Sequence, residues 1–542
     1  MTAERNRNTH GIDVNISEEI LARSPHCRHG PTLLFEKFTG KGEVKRYFAC
    51  SAFRDHKQCR FYQPLTGEDS FDNLRKRKNY NEQKVESKDH IEKYSRYQRA
   101  TLIKDGDRHY CHSCHLLVFK EELNLHTGHM TTSGIPDWLL QLPTRLMAAR
   151  ENNKSQAQYL FTQQTAEFLV QTIKSLGFNR VLCVGVPRLH EMLRKDRDKL
   201  KIDSLLLDID ERFTQFYHPS EFCHYNMFNH YFFDNGSKGI YESFLQRNNG
   251  DGLVLVMDPP FGGLVDALAF GVSQIVKSWN KLVLSLELNR ILPVMWIFPY
   301  FMEKRIVSLL PAFTMLDYKV DYDNHSHFKN GSKSKKKSPV RIFTNISPAS
   351  IVLPPDEGYR FCFKCQRYSA ADNPHCKKCN KCTSKDGSTY RHCSLCHRCV
   401  KPSYTHCKVC HKCELPSHDC KRVLTGCHLC GDLYHKRKEC PQLSSHALRL
   451  KLSPPSTSPS KPCVSTEVDN NLSQMKGYGC KMSPNEFKRK QKKRLQGVSR
   501  KEAHTNMRSK TMIEEYVRRR RLRGLKSTFC LSSISDNKED RR

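Results

Sequence analysis

The chain has 542 residues, which is enough for about two to four domains of ordinary size. Its 90 Lys and Arg residues outnumber its 56 Asp and Glu residues, and the formal charge of +34 favours a polyanionic partner, nucleic acid first. Apolar residues make up 38% of the chain and the mean hydropathy is −0.66, so we expect part of the length to be loop or tail.

Two stretches argue against a membrane or secreted protein. The most apolar stretch, residues 281–301, contains Glu287, Asn289 and Arg290, which interrupt the run of about 20 apolar residues that a bilayer span requires. The first 30 residues contain neither the apolar core nor the small-residue cleavage site of a secretory signal. We therefore expect no membrane partner and a reducing compartment.

The 25 cysteines are interpreted first as metal ligands, because a reducing compartment disfavours disulfides. Most of them lie in clusters with paired or regular spacing. Five are assigned no function: Cys183, Cys223, Cys463, Cys480 and Cys530. Where four protein ligands fill a site, the zinc is expected to be structural, since no position stays open for water.

The first cluster lies in residues 20–68 and resembles a GRF-type zinc finger. Its candidate ligands are Cys27, His29, Cys50 and Cys59. Aromatic and basic side chains alternate around them, a mixture suited to stacking bases and neutralising phosphate. They are Phe48, Phe53, Phe61 and Tyr62 with Arg46, Arg54, Lys57 and Arg60. An alternative of comparable weight is that the rings form the small core of a zinc-stapled module.

The second cluster, in residues 105–132, has the spacing Cys111-x2-Cys114-x11-His126-x2-His129. A Cys pair on a turn and two His near the end of a short helix can close a tetrahedral zinc site. We expect zinc binding but no reading of a DNA groove, since a lone finger contributes too little specificity for that task.

Residues 150–360 carry the pattern of an α/β domain. Short, continuous apolar runs at residues 180–185, 204–208, 252–258 and 293–298 predict strands that helices cover on both faces, and hence a parallel sheet. Apolar residues at helical spacing predict a helix over residues 157–176, directly before the first strand.

A stiff polar turn, Asp258-Pro259-Pro260-Phe261, ends the third apolar run. Proline fixes φ and donates no hydrogen bond, so the carboxylate and carbonyl groups of the turn are predicted to point outward as a rigid set of acceptors. Such a set can bind an exocyclic amine while Phe261 stacks on the ring that carries it. The alternative is a turn that merely caps a buried strand.

These four residues resemble the (Asp/Asn)-Pro-Pro-(Phe/Tyr/Trp) signature of class I adenine methyltransferases. The resemblance implies a Rossmann-like domain, S-adenosylmethionine as the cofactor, and a catalytic role for Asp258, Pro259, Pro260 and Phe261. A glycine after the first strand permits close approach of the cofactor, and an acidic residue about 20 positions on commonly binds ribose hydroxyls. The candidate cofactor-binding residues are Gln158, Tyr159, Gly185, Pro187, Arg188, Asp208, Asn226 and Asp258.

Residues 361–421 form a Cys/His-rich block in which the unit His-Cys-x2-Cys-x2-Cys occurs three times. Part of it resembles the cysteine-rich region of Asp-His-His-Cys palmitoyltransferases. Tyr404 and Thr405 replace the acid and the first His of that motif, so a structural zinc scaffold is expected and acyl transfer is not. The candidate ligands, whose pairing stays open, are Cys362, Cys365, His375, Cys376, Cys379, Cys382, His392, Cys393, Cys396, Cys399, His406, Cys407, Cys410, Cys413, His418 and Cys420.

The C-terminal part combines a further zinc motif with a basic tail. Cys427-x2-Cys430-x4-His435-x4-Cys440, within residues 422–442, has the spacing of a retroviral-type zinc knuckle and is expected to contact unpaired bases. Residues 443–542 are predicted to be a disordered tail, in which basic runs at residues 488–494 and 518–521 suit nuclear or nucleolar retention.

Longer stretches resemble a family of zinc-finger ribosomal RNA adenosine N6-methyltransferases. They include residues 158–161, 180–191, 205–210, 222–230, 258–264, 296–300 and 317–325, and the order of the modules is similar over residues 20–442. The resemblance implies N6-methyladenosine formation in 28S ribosomal RNA, with S-adenosylmethionine and several structural Zn2+ ions. It also implies residence in the nucleus and nucleolus, with room for a cytoplasmic pool, and other ribosome-assembly factors as partners. The alternative is a non-catalytic zinc-finger RNA-binding factor in ribosome assembly.

Overall fold

The computed structural model describes residues 11–38, 44–53, 58–65, 90–150, 157–283, 290–325 and 338–420, which all fall in the same structural unit. The predicted knuckle at residues 422–442 and the basic tail lie outside these residues. No helix in the described part of the chain is both long and apolar enough to cross a bilayer.

A sheet of eight strands forms the centre of the middle domain. Seven of the strands are numbered here in chain order: β1 (Arg180–Val184), β2 (Asp203–Asp208), β3 (Phe222–Asn226), β4 (Leu253–Met257), β5 (Val294–Pro299), β6 (Thr314–Met315) and β7 (Val340–Thr344). They lie in the order β3-β2-β1-β4-β5-β7-β6, and Tyr231–Phe232 extends the sheet beyond β3. β1 to β5 are parallel, whereas β7 runs antiparallel to its neighbours β5 and β6. The predicted α/β class is confirmed.

Helices cover both faces of this sheet, and alternate residues of β1 therefore enter two separate cores. Val181 and Cys183 pack with helices Gln163–Ser175 and Pro187–Lys195. Leu182 and Val184 pack with helices Asn235–Gln246 and Val265–Leu282. Every residue of β1 and β4 is buried, as expected for strands covered on both sides. The helices are α1 (Gln163–Ser175), α2 (Pro187–Lys195), α3 (Asn235–Gln246), α4 (Val265–Leu282) and α5 (Glu303–Leu309), with a short helix, Arg197–Leu200, after α2.

The helix predicted over residues 157–176 begins later than expected, at Gln163. Residues 157–162 are not helical, because this segment pairs with another one through an isolated bridge between Phe161 and Tyr322. Gln158 and Tyr159 therefore lie on a non-helical segment beside the sheet.

The N-terminal module packs on the face of the sheet that α3 and α4 cover. Its residues Leu21, Leu33 and Phe35 belong to the same hydrophobic cluster as Leu182 and Val184 of β1. The module consists of helix Glu18–Arg23, the hairpin His26–Cys27 with Gly30–Pro31, and a four-stranded antiparallel sheet of Gly11–Asn15, Leu33–Phe38, Val44–Ala49 and Tyr62–Pro64.

A second module packs on the opposite face. Its residues Tyr97, Tyr110 and Phe119 share a hydrophobic cluster with Phe213 and Phe216, which follow β2. The module consists of helix His90–Leu102 and strands Arg108–Cys111, Leu116–Phe119 and Thr131–Ser133, and the short helices Asp137–Leu140 and Pro143–Leu146 connect it to the sheet domain.

Four antiparallel hairpins follow β7 in succession. The first one packs beside β6, where Asp317 accepts hydrogen bonds from the backbone amide of Ala370 (2.8 Å) and from Asn373 Nδ2 (2.9 Å). The hairpins are Tyr359–Cys362 with Arg367–Ala370, His375–Cys376 with Lys381–Cys382, Arg391–Cys393 with Arg398–Val400, and Thr405–Cys407 with Lys412–Glu414.

A buried carboxyl group joins the second module to α2. Glu191 accepts hydrogen bonds from the backbone amide (2.6 Å) and the hydroxyl (2.5 Å) of Thr144, which lies in helix Pro143–Leu146. Burial raises the pKa of Glu191 to about 7, although these two hydrogen bonds act in the opposite direction.

The raised pKa of Glu191 predicts a pH-dependent free energy of unfolding. Its contribution is fully present below the ordinary glutamate pKa of 4.5 and is lost as pH rises through about 7. At about 1.4 kcal/mol per pKa unit, the loss is on the order of 3 kcal/mol. We expect Glu191→Gln, which keeps an acceptor for Thr144 but does not titrate, to reduce the fall in the free energy of unfolding between pH 5 and pH 8.

Denaturant midpoints measured at several pH values check this expectation. Glu167→Gln, on the exposed side of α1, is the matched control and should keep the wild-type slope. A Glu191→Gln midpoint that falls with pH as steeply as that of the wild type would contradict the assignment.

Candidate active site and zinc-ligand clusters

A cleft opens at the carboxyl edge of the sheet, where the strand order reverses between β1 and β4. Parallel α/β sheets bind their ligands at this edge. The empty volume of the cleft is about 750 Å³ including its mouth, which suits a small molecule. Of the predicted catalytic and cofactor-binding residues, those that line it are Gln158, Tyr159, Gly185, Pro187, Asp208, Asn226, Asp258, Pro259, Pro260 and Phe261.

Gly185 forms the floor of the cleft immediately after β1. Its φ of +67° lies in the left-handed region, and an added Cβ would lie 2.8 Å from Met227 Cε and 3.3 Å from the carbonyl oxygen of Asp258. Only glycine fits this position without strain. Glycine is therefore required where the end of β1 meets Met227 and the Asp258 carbonyl group at the edge of the cleft.

Two acidic residues at the end of β2 have opposite electrostatic environments. Burial, and then the charge of Asp210, raise the pKa of Asp208 to about 7. Burial also opposes the charge of Asp210, but hydrogen bonds from Arg212 and the charges of Arg212 and Arg150 outweigh it, so the pKa of Asp210 is lowered. Asp208 thus lines the cleft next to Asp210, whose negative charge is stabilised by Arg212 and Arg150.

Asp210 also holds the segment that carries Gln158. Gln158 Nε2 donates to Asp210 Oδ2 at 2.8 Å, and Arg212 donates both to the same carboxylate (2.6 Å) and to Gln158 Oε1 (3.1 Å). Arg150 donates to Asp210 Oδ1 at 3.1 Å. Gln158 thus reaches the cleft because a buried ion pair fixes its side chain.

Asp258 lies at the end of β4 with one carboxylate oxygen engaged. The Tyr322 hydroxyl donates to Asp258 Oδ1 at 3.0 Å. Burial raises the pKa of Asp258 well above its usual range, and the hydrogen bond from Tyr322 lowers it by less. This carboxyl group is oriented and more basic than an exposed aspartate.

Aromatic rings enclose the cleft beside Asp258. Tyr159 stacks on Phe261 with a centroid distance of 5.3 Å, and Tyr322 meets Phe261 edge-on at 5.8 Å. The ring centroid of His325 lies 4.4 Å from that of Tyr159. The arrangement offers flat apolar surfaces to a planar ring whose amine faces Asp258.

The side chains of two predicted cofactor-binding residues, Arg188 and Asn226, are engaged by protein partners. Arg188 does not line the cleft, because its guanidinium donates to the Phe161 carbonyl oxygen (2.8 Å) and pairs with Asp323. Asn226 lines the cleft, but its side-chain amide is bound to the N-terminal module, donating to the His29 carbonyl oxygen at 2.9 Å. The remaining roles stay predictions.

Several residues around the cleft were not assigned a role from the sequence: Arg150, Asp210, Arg212, Tyr322 and His325. A signal existed for Asp210, since carboxylates two residues apart after a strand both lie at its carboxyl end. No local signal existed for Tyr322, which is 64 positions from Asp258.

The residues present fit S-adenosylmethionine, the cofactor that the sequence resemblance implies. The observation that supports the fit is the set of groups that line one cleft: the backbone of Gly185, Pro187 and the carboxyl group of Asp208. Gly185 and Pro187 would hold the amino-acid part, and Asp208 at the end of β2 would bind the ribose hydroxyls. When bound, the cofactor supplies an electrophilic methyl group.

In the N-terminal module and in the second module, the four predicted zinc ligands lie close together. His29 Nδ1 lies 3.8 Å from Cys27 Sγ and 3.3 Å from Cys50 Sγ, and Cys59 completes the group. Such separations suit four ligands around one Zn2+ with bond lengths of about 2.0–2.3 Å.

The second module groups Cys111, Cys114, His126 and His129 in the same way. His126 Nδ1 is buried without a hydrogen-bond partner in the described structure, as expected for an atom reserved for a metal. Both modules can therefore hold zinc.

The ligand sets of the Cys/His block interlock. The first three sets are Cys362, Cys365, His375 and Cys382; Cys376, Cys379, His392 and Cys399; and Cys393, Cys396, His406 and Cys413. Contacts of 3.2–3.6 Å join Cys407, Cys410, His418 and Cys420 as the fourth. Each of the first three sets takes its His from the position just before the first Cys of the next set. The knuckle ligands Cys427, Cys430, His435 and Cys440 lie outside the described residues.

These ligand sets predict the zinc content of the chain. The described residues supply six groups, and the predicted knuckle would add a seventh ion. We expect Cys382→Ser to lower the zinc-to-protein ratio by at least one, because it removes a ligand from the first interlocked set. Cys183→Ser, a buried thiol of β1 outside every group, is the control. Elemental analysis of the full chain decides; an unchanged ratio for Cys382→Ser would contradict the pairing.

Comparisons with known proteins agree with this site. The family model described as probable N6-adenine methyltransferase matches residues 152–346. The chain is 49% identical to rRNA N(6)-adenosine-methyltransferase ZCCHC4 of Xenopus tropicalis, covering 83% of this chain and 93% of that protein. It is 44% identical to the Homo sapiens protein of the same name (81% and 86%) and 48% identical to that of Bos taurus (80% and 86%). The chain therefore belongs to the ZCCHC4 family of N6-adenosine methyltransferases.

Proposed function

We propose that the chain makes N6-methyladenosine in ribosomal RNA, specifically 28S ribosomal RNA, with S-adenosylmethionine as the methyl donor. The names of its relatives support ribosomal RNA as the substrate class. The observation that carries the chemistry is the oriented Asp258 carboxyl group at the end of β4, beside stacked aromatic rings in a cofactor-sized cleft.

The chain's own residues position the target amine. The Tyr322 hydroxyl donates a hydrogen bond to Asp258 Oδ1. Asp258 Oδ2 and the carbonyl oxygen of Pro259 are therefore the acceptors for the two amine hydrogens. Phe261, with Tyr159 stacked against it, offers a flat surface on which the adenine ring can stack, and this would direct the nitrogen lone pair along the cleft. Because burial raises the pKa of Asp258, its ionised form is a stronger base than an exposed aspartate for the proton that the amine releases on methylation.

Zinc has a structural role in this proposal. Each grouped site supplies four protein ligands, which leaves no open position for catalytic water. The formal charge of +34 favours binding to RNA through phosphate contacts. The zinc modules and the predicted knuckle would present structured RNA to the cleft.

A substrate panel tests the proposed function. The full chain is incubated with methyl-labelled S-adenosylmethionine and with ribosomal RNA, messenger RNA or DNA oligonucleotides, followed by nucleoside analysis. We expect label in N6-methyladenosine from 28S ribosomal RNA. Label in cytidine or DNA but not in ribosomal adenosine would refute the proposal, and tight RNA binding without transfer would favour a non-catalytic assembly factor.

Variants at the Asp258 turn separate chemistry from folding. We expect Asp258→Ala to lower the single-turnover rate by orders of magnitude with RNA affinity retained, because the acceptor for the amine is lost. Tyr322→Phe should lower the rate by roughly tenfold, since it removes one orienting hydrogen bond.

Tyr217→Phe is the matched control, because the Tyr217 hydroxyl is buried without a hydrogen-bond partner in the described structure. Melting temperature, RNA affinity and methylation rate are measured on the same samples. If Asp258→Ala stays folded, binds RNA and methylates at a near-normal rate, the turn only caps the strand.

Nucleolar residence is part of the proposal and depends on the tail, which lies outside the described residues. Basic runs at residues 488–494 and 518–521 favour retention at sites rich in ribosomal RNA. Ending the chain after Pro454 should reduce nucleolar accumulation and the salt dependence of RNA binding, with the sheet domain still folded. Fluorescence imaging of both chains checks this, and an unchanged distribution would reject the targeting role.

A further inference from the structure

The N-terminal zinc-ligand cluster is hydrogen-bonded to the end of β3. Asn226 Nδ2 donates to the His29 carbonyl oxygen (2.9 Å) and to Ser51 Oγ (2.8 Å), while its Oδ1 accepts from the Phe228 backbone amide (3.1 Å). The side chain is fully buried, so these bonds have no competition from water. Both amide hydrogens of Asn226 are used by the N-terminal module.

A second asparagine binds the same carbonyl group. Asn229 Nδ2 donates to the Pro31 carbonyl oxygen at 2.7 Å and to that of His29 at 3.3 Å. The ring of His29 faces Cys27 and Cys50. One residue thus belongs to the metal-ligand cluster through its ring and to the sheet domain through its backbone.

The turn that Asn226 begins is part of the cofactor cleft. Met227 and Phe228 both line the cleft, and Met227 Cε packs against Gly185. On the other side, a Cβ at Gly271 of α4 would lie 2.5 Å from the Met227 carbonyl oxygen, so this turn and α4 are in close backbone contact. β1 and α4 bound the turn on two sides, and the N-terminal module bounds it on the third.

We propose that the metal-loaded cluster of Cys27, His29, Cys50 and Cys59 sets the affinity of the sheet domain for its cofactor, with Asn229 and Asn226 as positioning residues. Metal fixes His29, His29 fixes the two asparagines, and Asn226 fixes the turn that carries Met227 and Phe228. The N-terminal finger then has a role in cofactor binding in addition to any contact with RNA. This inference rests on the proposed function only for the identity of the cofactor.

The expected effect follows from the population of the ordered turn. Without the Asn229 amide, the segment that carries the His29 carbonyl group loses two hydrogen bonds and can shift away from Asn226. The buried Asn226 amide is then left unsatisfied, which favours rearrangement of the turn. The apparent dissociation constant of a ligand rises in inverse proportion to the competent fraction. If about a tenth of the molecules keep the ordered turn, cofactor binding weakens about tenfold.

Asn229→Ala in the full chain is the principal test, because Asn229 does not line the cleft. S-adenosylmethionine affinity is measured by calorimetry without RNA, together with melting temperature and the methylation rate at saturating cofactor. We expect the dissociation constant to rise about tenfold, with the saturated rate changed less than twofold. If Asn229→Ala does not fold, Ser51→Ala replaces it as the test. This variant removes a single acceptor of Asn226 and should raise the dissociation constant for S-adenosylmethionine a fewfold.

Glu18→Gln is the matched control. Glu18 joins the same two modules through Lys277 Nζ (2.5 Å) and Gln274 Nε2 (2.9 Å) of α4, but on the exposed surface away from the turn. If any weakened contact between the two modules lowered cofactor affinity, both Asn229→Ala and Glu18→Gln would raise the dissociation constant. If the contact with the turn is what matters, only Asn229→Ala raises it.

A double variant tests the role of the metal. Cys59→Ala should lower the zinc content and raise the dissociation constant, and combining it with Asn229→Ala should add little, since both act through His29. Additive effects, or an unchanged dissociation constant in Asn229→Ala and Ser51→Ala, would overturn the inference. Wild-type protein that fails to bind S-adenosylmethionine would instead refute the proposed function.

Discussion

The buried carboxylate of Asp210 is the constraint on which the cleft depends. Burying a charge is costly unless it is paired, and here two guanidinium groups and the Gln158 amide surround it. Those contacts fasten residues 157–162 against the carboxyl end of β2. From this segment Tyr159 reaches Phe261 and Phe161 pairs with Tyr322, whose hydroxyl orients Asp258. Removing the charge at Asp210 would therefore disturb a carboxyl group that it does not touch.

The zinc modules share the cores of the sheet domain. Leu182 in β1 belongs to a cluster that includes Leu33 of the N-terminal module, and Val181 belongs to one that includes Tyr110 of the second module. A module with its own core can move on a linker, but a module whose apolar residues complete another core is held in place. Hydrophobic packing consequently fixes the positions of the N-terminal module and the second module relative to the cleft.

Local patterns predicted the features that depend on neighbours in sequence. Apolar runs located the strands, and the positions just after them located Gly185, Asp208 and Asp258. What failed depended on distant partners: the helix start shifted to Gln163 because the preceding segment pairs with residues near 322. Asn226 follows the rule for a polar residue at a strand end, yet its amide binds His29, 197 positions away. No spacing rule encodes such a contact.

The interlocked ligand sets also constrain the order in which the C-terminal hairpins can mature. Cys382, which closes the first set, comes after Cys376 and Cys379 of the second set, and Cys399 likewise comes after the first Cys pair of the third. During synthesis, each of the first three sets is completed only when part of the next has already emerged from the ribosome. Ion loading during synthesis would thus advance from the hairpin beside β6, which contacts the sheet domain, toward the C-terminus.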